Sequence, residues 1–305
     1  MFFLTAIFLV AALLAAKEQV PVSATIVPPR TLHVLKRIGG HMIPYSPPLI
    51  IAHRGDSKHA PENTRPAFEL ALKYRPDMVE GDYHHSKDGE FIVIHDHHLD
   101  RTTDAVKKWG PGISDILVSS RTLKEIKTLD AGSWFHWNNS EFTGTKVPTL
   151  KEALDVIQKS SVALIERKEG KPEDLMRFLR NEGLTNDVAV HSFDWDFIEE
   201  LGTFSDAPSR GAIGPPWGKY KGRVLTESEK WLNAEFIEDI ASRGAQFFGW
   251  NSWVTAESVA LAHSKGLRVF IYTIDDPNEA QRLVALGVDG ITTNDPELMA
   301  KRLRQ

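Results

Sequence analysis

Short apolar runs alternate with amphipathic stretches from residue 48 to the end of the chain. A short apolar run bounded by turn signals is typical of a buried strand, whereas apolar positions spaced three or four apart are typical of a helix. The pattern predicts eight strands, at residues 49–53, 78–83, 162–168, 187–193, 210–214, 246–251, 268–273 and 288–293. It predicts helices between most of these strands, including residues 65–73, 150–159, 172–182, 234–244, 256–265 and 278–286.

Eight strands with intervening helices predict an α/β fold in which the strands close into a parallel (β/α)₈ barrel, or TIM barrel. The alternative is a doubly wound open sheet. Such a sheet usually carries a Gly-rich phosphate loop after its first strand, and 53-HRGD-56 is not that motif. The barrel is therefore the favoured architecture.

Two further segments interrupt the alternation. The apolar run 91–96 follows the turn signal 88-DG-89, which predicts a return strand beside the second barrel strand. Residues 100–148 are polar and contain Gly and Trp, with one short helical piece at 123–129. Because long connections of this kind are usually functional, we expect a small insertion subdomain near the C-terminal mouth of the barrel.

The first residues differ from the rest of the chain. Residues 2–16 are apolar and uncharged, and they are too few for a comfortable membrane span. They fit the apolar region of a signal peptide, with 22-VSA-24 as a candidate cleavage site, although no Lys or Arg precedes them. We therefore expect residues 1–24 to be a signal peptide or an N-terminal anchor. Residues 25–47 then form a linker to a barrel domain at 48–305, in a secreted, periplasmic or cell-envelope protein.

The composition of the chain excludes several classes of function. The chain has 305 residues, of which 42% are hydrophobic and 25% charged, as in an ordinary globular protein. A net charge of -5 argues against non-specific binding to nucleic acid, which normally requires a basic surplus. The chain has no cysteine, which excludes disulfides, thiolate metal sites and cysteine nucleophiles.

Ionisable residues collect at the ends of the predicted strands, where a (β/α)₈ barrel places its active site. They are His53 and Arg54 on strand one, Glu80 and Asp82 on strand two, His95 on the return strand, and Glu166 and Lys168 on strand three. Each alone is more often a solvated or structural residue, but their grouping favours a site. Three carboxylates suit Mg²⁺ or Ca²⁺, two cations suit a phosphate, and two imidazoles suit proton transfer. Together they predict phosphodiester cleavage.

Several segments carry a family resemblance, in the same order along the chain. They are 53-HRGDSKHAPENT-64, 79-VEGDYHHSKDGEFIVIHD-96, 101-RTTDA-105, 147-VPTLKEALD-155, 164-LIERK-168, 191-HSFD-194, 271-IYTIDD-276 and 287-GVDGITTNDP-296. With them the sequence resembles the glycerophosphodiester phosphodiesterase family, a branch of the phosphatidylinositol-phospholipase-C-like TIM barrels. No single segment is specific, but the combination is.

The resemblance implies roles for individual residues. His53 and His95 match the catalytic pair, and Arg54 and Lys168 match residues that contact phosphate. Glu62 matches a further acidic residue of the site. The implied ligands of one divalent cation, Ca²⁺ or Mg²⁺, are Glu80, Asp82 and Glu166. The implied reaction is metal-dependent hydrolysis of a glycerophosphodiester to glycerol 3-phosphate and an alcohol, with the two histidines as general acid and base.

Three positions depart from the family pattern. Tyr272 stands where Trp is common, and this residue is expected to line the pocket for glycerol. Asn294 stands where Asp is common, and Arg167 stands where an apolar residue is usual. No position expected to be catalytic or to bind metal is lost.

Two other functions stay open. A lipid-directed enzyme of the lysophospholipase D type would need an apolar surface at the mouth, which 109-WGPGI-113 and 134-WFHW-137 could supply if they are not the core of the insertion. A non-catalytic barrel that binds phosphate esters is the other alternative. The expected partner is a small-molecule glycerophosphodiester and not nucleic acid. Membrane contact is expected only through the N-terminal segment or a lipid substrate, and the oligomeric state is open.

Overall fold

The structure is a computed structural model that describes residues 47–112, 116–135 and 140–304. The predicted signal peptide or anchor and most of the predicted linker lie outside these residues. No helix within the described ranges is both long enough and apolar enough to span a membrane.

Eight parallel strands close into a barrel within the described part of the chain, which confirms the predicted fold. Its strands are β1 (Leu49–Ala52), β2 (Met78–His85), β4 (Val162–Arg167), β5 (Val188–Ser192), β6 (Ser209–Ile213), β9 (Phe247–Trp250), β10 (Arg268–Ile271) and β11 (Gly290–Thr293). Each of these strands pairs with the next along this series. The barrel closes at β1, where Ala52 pairs with Val79 of β2 on one side and Thr293 of β11 on the other.

The remaining strands lie outside the barrel. The return strand β3 (Phe91–Val93) pairs antiparallel with β2, as predicted. It ends at Val93 and not at the predicted residue 96, so that His95 lies in the loop that follows. The sequence did not predict a small hairpin of β7 (Lys219–Tyr220) and β8 (Arg223–Val224).

The helices surround the barrel or lie in the insertion. They are α1 (Arg65–Lys73), α2 (Ala105–Trp109), α3 (Leu123–Ile126), α4 (Leu150–Ile157), α5 (Pro172–Glu182), α6 (Trp195–Leu201), α7 (Ala234–Ser242), α8 (Ala256–Ser264), α9 (Pro277–Ala285) and α10 (Pro296–Leu303). Local signals set several of their ends. A capping box between Thr149 and Glu152 begins α4, and Gly183 in the left-handed conformation ends α5.

Alternation along the strands separates the barrel interior from the helix layer. Leu49 and Ile51 of β1 belong to the interior cluster, whereas Ile50 and Ala52 pack with residues of the surrounding layer. The same period of two places Glu80 and Asp82 of β2 on the interior face, above Met78. Polar side chains therefore cap an apolar barrel core at its C-terminal end.

The predicted insertion has a small core of its own. Buried side chains of β3, α2, α3 and the intervening loops form one apolar cluster that includes Ile92, Leu99 and Ile126. Trp109 packs against this cluster, and the indole nitrogen of Trp134 donates to the Ala131 carbonyl at 2.9 Å. These two aromatic residues are thus largely structural. Residues 136 and 137 lie outside the described part of the chain.

Candidate active site

A tight turn after β1 presents His53 and Arg54 to the barrel mouth. Gly55 follows in the left-handed region at φ +85°, and a Cβ there would lie 2.6 Å from the Ala67 carbonyl carbon. Only glycine allows α1 to approach this closely. Asn63, at the other end of the turn, donates its backbone N–H to the Arg54 carbonyl at 3.0 Å. The turn therefore holds the Arg54 backbone between β1 and α1.

His53 is oriented by an amide from the opposite end of the sequence. Its Nδ1 lies 2.7 Å from Oδ1 of Asn294, while Nδ2 of Asn294 donates to Asp275 at 2.8 Å. Because the Asp275 carboxylate accepts, Asn294 must present its oxygen to His53, and Nδ1 of His53 carries the proton. Nε2 is left with a lone pair. Burial and the charge of Arg54 lower the pKa of His53 to about 4.

His95 is oriented by a carboxylate. Its Nδ1 lies 2.6 Å from Oδ1 of Asp96, and Arg101 donates to the other Asp96 oxygen at 2.5 Å. Burial lowers the pKa of His95, although Asp82 and Asp96 act in the opposite direction. The two histidines thus have different partners, because a neutral amide holds His53 and a carboxylate holds His95.

Glu62 links the two halves of the site. It accepts from Nη1 of Arg54 at 2.8 Å and from both terminal nitrogens of Arg101 at 2.8 and 2.9 Å. Burial opposes ionisation, but these arginines lower the pKa of Glu62 overall. Glu62 therefore fixes the guanidinium of Arg54 at the edge of the site, and its functional role stays a prediction.

The three predicted metal ligands lie together, but in different surroundings. Asp82 is the most heavily paired, since Asn63 donates to it at 2.7 Å and Lys168 and Arg54 lie 3.0 and 3.4 Å away. Burial opposes ionisation of Asp82, but these cations outweigh it and lower the pKa of Asp82. Lys168 also forms an ion pair with Glu166. Asp82 and Glu166 are partners in the β2–β4 register.

Glu80 and Glu166 have raised pKa values. Burial and then the neighbouring carboxylates raise the pKa of Glu80 well above its ordinary value. Burial and the charge of Asp82 raise the pKa of Glu166 to about 7. Three buried carboxylates repel one another, and a bound cation would relieve that repulsion.

The donor set fits a divalent cation. Ligand atoms of Glu80, Glu166 and His191 lie within 4.8 Å of one another. Oε1 of Glu80 and Nε2 of His191 are buried and have no hydrogen-bond partner within the described ranges. The structure thus brings Glu80 and Glu166 together and adds His191, while Asp82 as a direct ligand stays a prediction.

Two cavities meet at the mouth. An inner cavity of about 280 Å³ is lined by both candidate catalytic histidines, Arg54, Lys168 and the aromatic residues Phe193, Trp217 and Tyr272. An outer cavity of about 960 Å³ shares His95, Lys168, Phe193 and Trp217 with it. Tyr272 lines the inner cavity, and its hydroxyl donates to the Gly214 carbonyl at 2.8 Å, while its contact with glycerol stays a prediction.

Several residues of the site had no assigned role from sequence. Asn294, Asp275 and Arg101 act through contacts between distant parts of the chain, although all three lie in the motifs that carry the resemblance. His191 was recognised at the end of its strand and in the motif 191-HSFD-194 but received no role, and the structure pairs it in the β4–β5 register with Glu166. Arg167 turns away from the carboxylates and pairs with Asp194 at 2.8 Å.

This combination of fold and site points to the class of (β/α)₈-barrel enzymes that cleave phosphate esters. Residues 53–298 match the model of the glycerophosphoryl diester phosphodiesterase family. A glycerophosphodiester phosphodiesterase of Caldanaerobacter subterraneus subsp. tengcongensis is 32% identical over 264 residues, covering 84% of this chain and 98% of that protein. The chain belongs to the glycerophosphodiester phosphodiesterase family.

Solved structures agree with this assignment. A glycerophosphodiester phosphodiesterase from Agrobacterium tumefaciens is 27% identical, with a TM-score of 0.65 and coverage of 83% of this chain and 99% of that chain. An Oleispira antarctica phosphodiesterase in complex with the product sn-glycerol-3-phosphate is 25% identical. Its TM-score is 0.70, with coverage of 85% of this chain and 98% of that chain.

Proposed function

We propose that this chain hydrolyses glycerophosphodiesters to glycerol 3-phosphate and an alcohol, with one bound Ca²⁺ or Mg²⁺. The observation that carries the proposal is that one cavity joins both imidazoles, both cations and the buried carboxylates. The product named for the Oleispira antarctica relative supports the same reaction. A bound cation would supply Lewis-acid stabilisation of charge on the phosphoryl group.

Glu80 and Glu166, with Asp82 or His191, would hold that cation. Arg54 and Lys168 would bind the remaining phosphoryl oxygens, because both present nitrogen donors to the same cavity. Glu62 keeps the Arg54 guanidinium in place through its 2.8 Å contact.

The hydrogen bonds of the two histidines divide their roles. His53 suits the role of base, because Nδ1 donates to Asn294 and its low pKa leaves Nε2 unprotonated and free to accept a proton at neutral pH. His95 suits the role of acid, because the Asp96 carboxylate favours its protonated form against the burial that lowers its pKa, whereas only a neutral amide holds His53.

Proton transfer accompanies the exchange of bonds at phosphorus. Nε2 of His53 takes the proton of the attacking hydroxyl, which belongs to water or to the neighbouring glycerol hydroxyl of the substrate. The oxygen–phosphorus bond forms while the bond to the alcohol breaks, and His95 gives its proton to the departing alkoxide. Attack by the glycerol hydroxyl gives a cyclic phosphate, which water then opens to glycerol 3-phosphate.

Lysophospholipid hydrolysis is a second candidate. The observation that favours it is the apolar edge of the outer cavity, where Trp217 is 77% exposed and packs edge-on against Phe193 at 5.3 Å. An acyl chain would find an apolar surface there. A barrel that only binds phosphate esters would need neither oriented histidine.

A turnover assay of the purified protein tests these proposals. Glycerophosphocholine, glycerophosphoethanolamine and lysophosphatidylcholine are each incubated with Ca²⁺, Mg²⁺ or EDTA, and released glycerol 3-phosphate or free choline is measured. We expect turnover of the first two with Ca²⁺ or Mg²⁺ and loss of at least about 100-fold in EDTA, because metal catalysis contributes several kcal/mol. Turnover of only the lysolipid would select the second function. No turnover of any substrate would overturn both.

We also infer export of the chain from the apolar residues 2–16. Mass spectrometry of the protein purified from cells tests this inference. A mature N-terminus near residue 25 supports a cleaved signal peptide, an intact N-terminus in the membrane fraction supports an anchor, and an intact N-terminus in the soluble cell fraction contradicts export.

A further inference from the structure

A second group of potential metal ligands lies beside the candidate active site, and none of its residues has been given a catalytic, phosphate-binding or metal-binding role there, although His97 lines the outer cavity. Ligand atoms of His84, His97 and Glu169 all lie within 4.8 Å of one another. His84 comes from β2, His97 from the loop after β3, and Glu169 from the loop after β4. Three segments that are distant in the sequence therefore place two imidazoles and one carboxylate together.

The hydrogen bond of His84 leaves one of its ring nitrogens available to bind a metal ion. Its side chain is 1% exposed, and Nε2 lies 3.0 Å from the carbonyl oxygen of His95. Because that carbonyl can only accept, Nε2 carries the proton and Nδ1 of a neutral ring has a free lone pair. Nδ1 is buried without a hydrogen-bond partner in the described part of the chain, and it faces Oε1 of Glu169 at 3.6 Å. A proton on Nδ1 or a metal ion between the two atoms would satisfy both, and the nearby His97 imidazole is a third ligand that only a metal ion would use.

The other two ligands are also positioned. Oε1 of Glu169 accepts the backbone N–H of His85 at 2.9 Å, which fixes the carboxylate. Gly170 follows at φ +93°, and a Cβ there would lie 2.3 Å from the His85 ring, so the loop packs closely against β2. The His97 ring lies edge-on to His84, with centroids 4.6 Å apart, and it is exposed to solvent. The exposed ring gives an ion a route of entry.

We propose that His84, His97 and Glu169 bind a divalent transition-metal ion of the Zn²⁺ or Co²⁺ type. Two imidazoles and a carboxylate suit these ions, whereas Ca²⁺ and Mg²⁺ favour sites in which oxygen ligands predominate, such as the carboxylates of the active site. Water would complete the coordination. His84 also donates to the carbonyl of His95. The ion therefore holds the loop that contains His95 and His97 against β2 and against the loop after β4.

Metal counting on the full-length protein tests this site. Metal-free wild type is titrated with Co²⁺, and the bound ions are counted by calorimetry and by visible absorption. We expect His97→Ala to bind one Co²⁺ fewer than wild type, because its affinity for Co²⁺ at this site should fall by more than about 100-fold. Removing a residue that only hydrogen-bonds to a metal ligand costs about 10- to 100-fold in affinity, so a larger loss indicates a direct ligand. Glu169→Gln keeps the acceptor for His85 but removes the charge, and it should weaken the same site.

His98→Ala is the matched control, because it removes the adjacent imidazole of the same loop and should retain the full count. Equal Co²⁺ counts in wild type and His97→Ala would overturn the proposal, and so would loss of the ion in His98→Ala. Failure of the wild type to bind Co²⁺ at this site would also overturn it. Circular dichroism confirms that each variant is folded. Because the readout is binding, a failed phosphodiesterase assay would not affect this result.

Discussion

Asn294 offers a specific test of how the site prepares His53. Asn294→Ala removes the acceptor that lies 2.7 Å from Nδ1 of His53 and leaves the proton on that nitrogen without a partner. Loss of one partner of a buried hydrogen bond costs about 1–3 kcal/mol. Because the bond selects the tautomer used in catalysis, we expect this cost to appear in the barrier. At 1.36 kcal/mol per factor of ten, kcat should fall by about 5- to 150-fold.

A double variant changes the charge at the same place. Asn294→Asp puts a carboxylate beside His53, and Asp275→Asn in the same chain keeps the hydrogen bond between positions 294 and 275 with its donor reversed. The new charge favours the protonated imidazole, so the pKa of His53 should rise from about 4. A base must be unprotonated to act, and the acidic limb of kcat/KM should therefore move to higher pH.

The assay is the pH–rate profile with glycerophosphocholine, and Asn278→Ala is the control because it removes an amide on α9, away from the cavity. The control should match wild type. Wild-type kcat in Asn294→Ala would refute the positioning role of this amide. An acidic limb that stays in place in the double variant would refute the assignment of His53 as the base.

Three other predictions concern metal binding, backbone geometry and specificity. Glu80→Gln should abolish binding of the catalytic cation, as measured by calorimetry, and lower kcat by at least about 100-fold. Because it relieves the repulsion between buried carboxylates, it should not lower the melting temperature of the metal-free protein. Glu235→Gln, at an exposed position, is its control. Gly55→Ala should destabilise by about 1–3 kcal/mol or more in urea unfolding, whereas Gly89→Ala, also at positive φ but with open space around it, should cost less. Trp217→Ala should lower kcat/KM about tenfold for lysophosphatidylcholine and little for glycerophosphocholine if the mouth binds an acyl chain.

Each of these predictions has an outcome that contradicts it. For Glu80→Gln, unchanged cation affinity would remove this residue from the metal site. For the glycine pair, equal losses of stability would mean that the approach of α1 to the turn is unimportant. For Trp217→Ala, equal effects on both substrates would remove the argument for a lipid.

The barrel could be predicted from sequence because of how its strands are buried. A parallel strand between an apolar core and a helix layer is covered on both faces, so it reads as a short continuous apolar run. β1 and β10 are buried along their whole length and were easily found. The hairpin of β7 and β8 has an exposed strand, 223–224, and no such run, so its pattern could not distinguish it from a loop.

The site was partly predictable for a related reason. Strand ends meet at one face of a barrel, so Glu80, Glu166 and His53 could be grouped from the sequence alone. What sequence cannot give is the pairing between side chains that are distant in the chain. The contact of His53 with Asn294 spans 241 positions, and that of Arg101 with Glu62 spans 39. These contacts, and not the residue types, separate the roles of the two histidines.

The proposed mechanism depends on proton transfer by His53 and His95 at a metal-assisted phosphodiester site. Its most direct test is the turnover number of His53→Ala and His95→Ala with glycerophosphocholine and saturating Ca²⁺ or Mg²⁺, with His59→Ala as a control outside the cavity. Acid–base catalysis contributes about 10²- to 10⁴-fold, so each variant should lose at least about 100-fold while remaining folded. Near-wild-type turnover in either variant would contradict this mechanism.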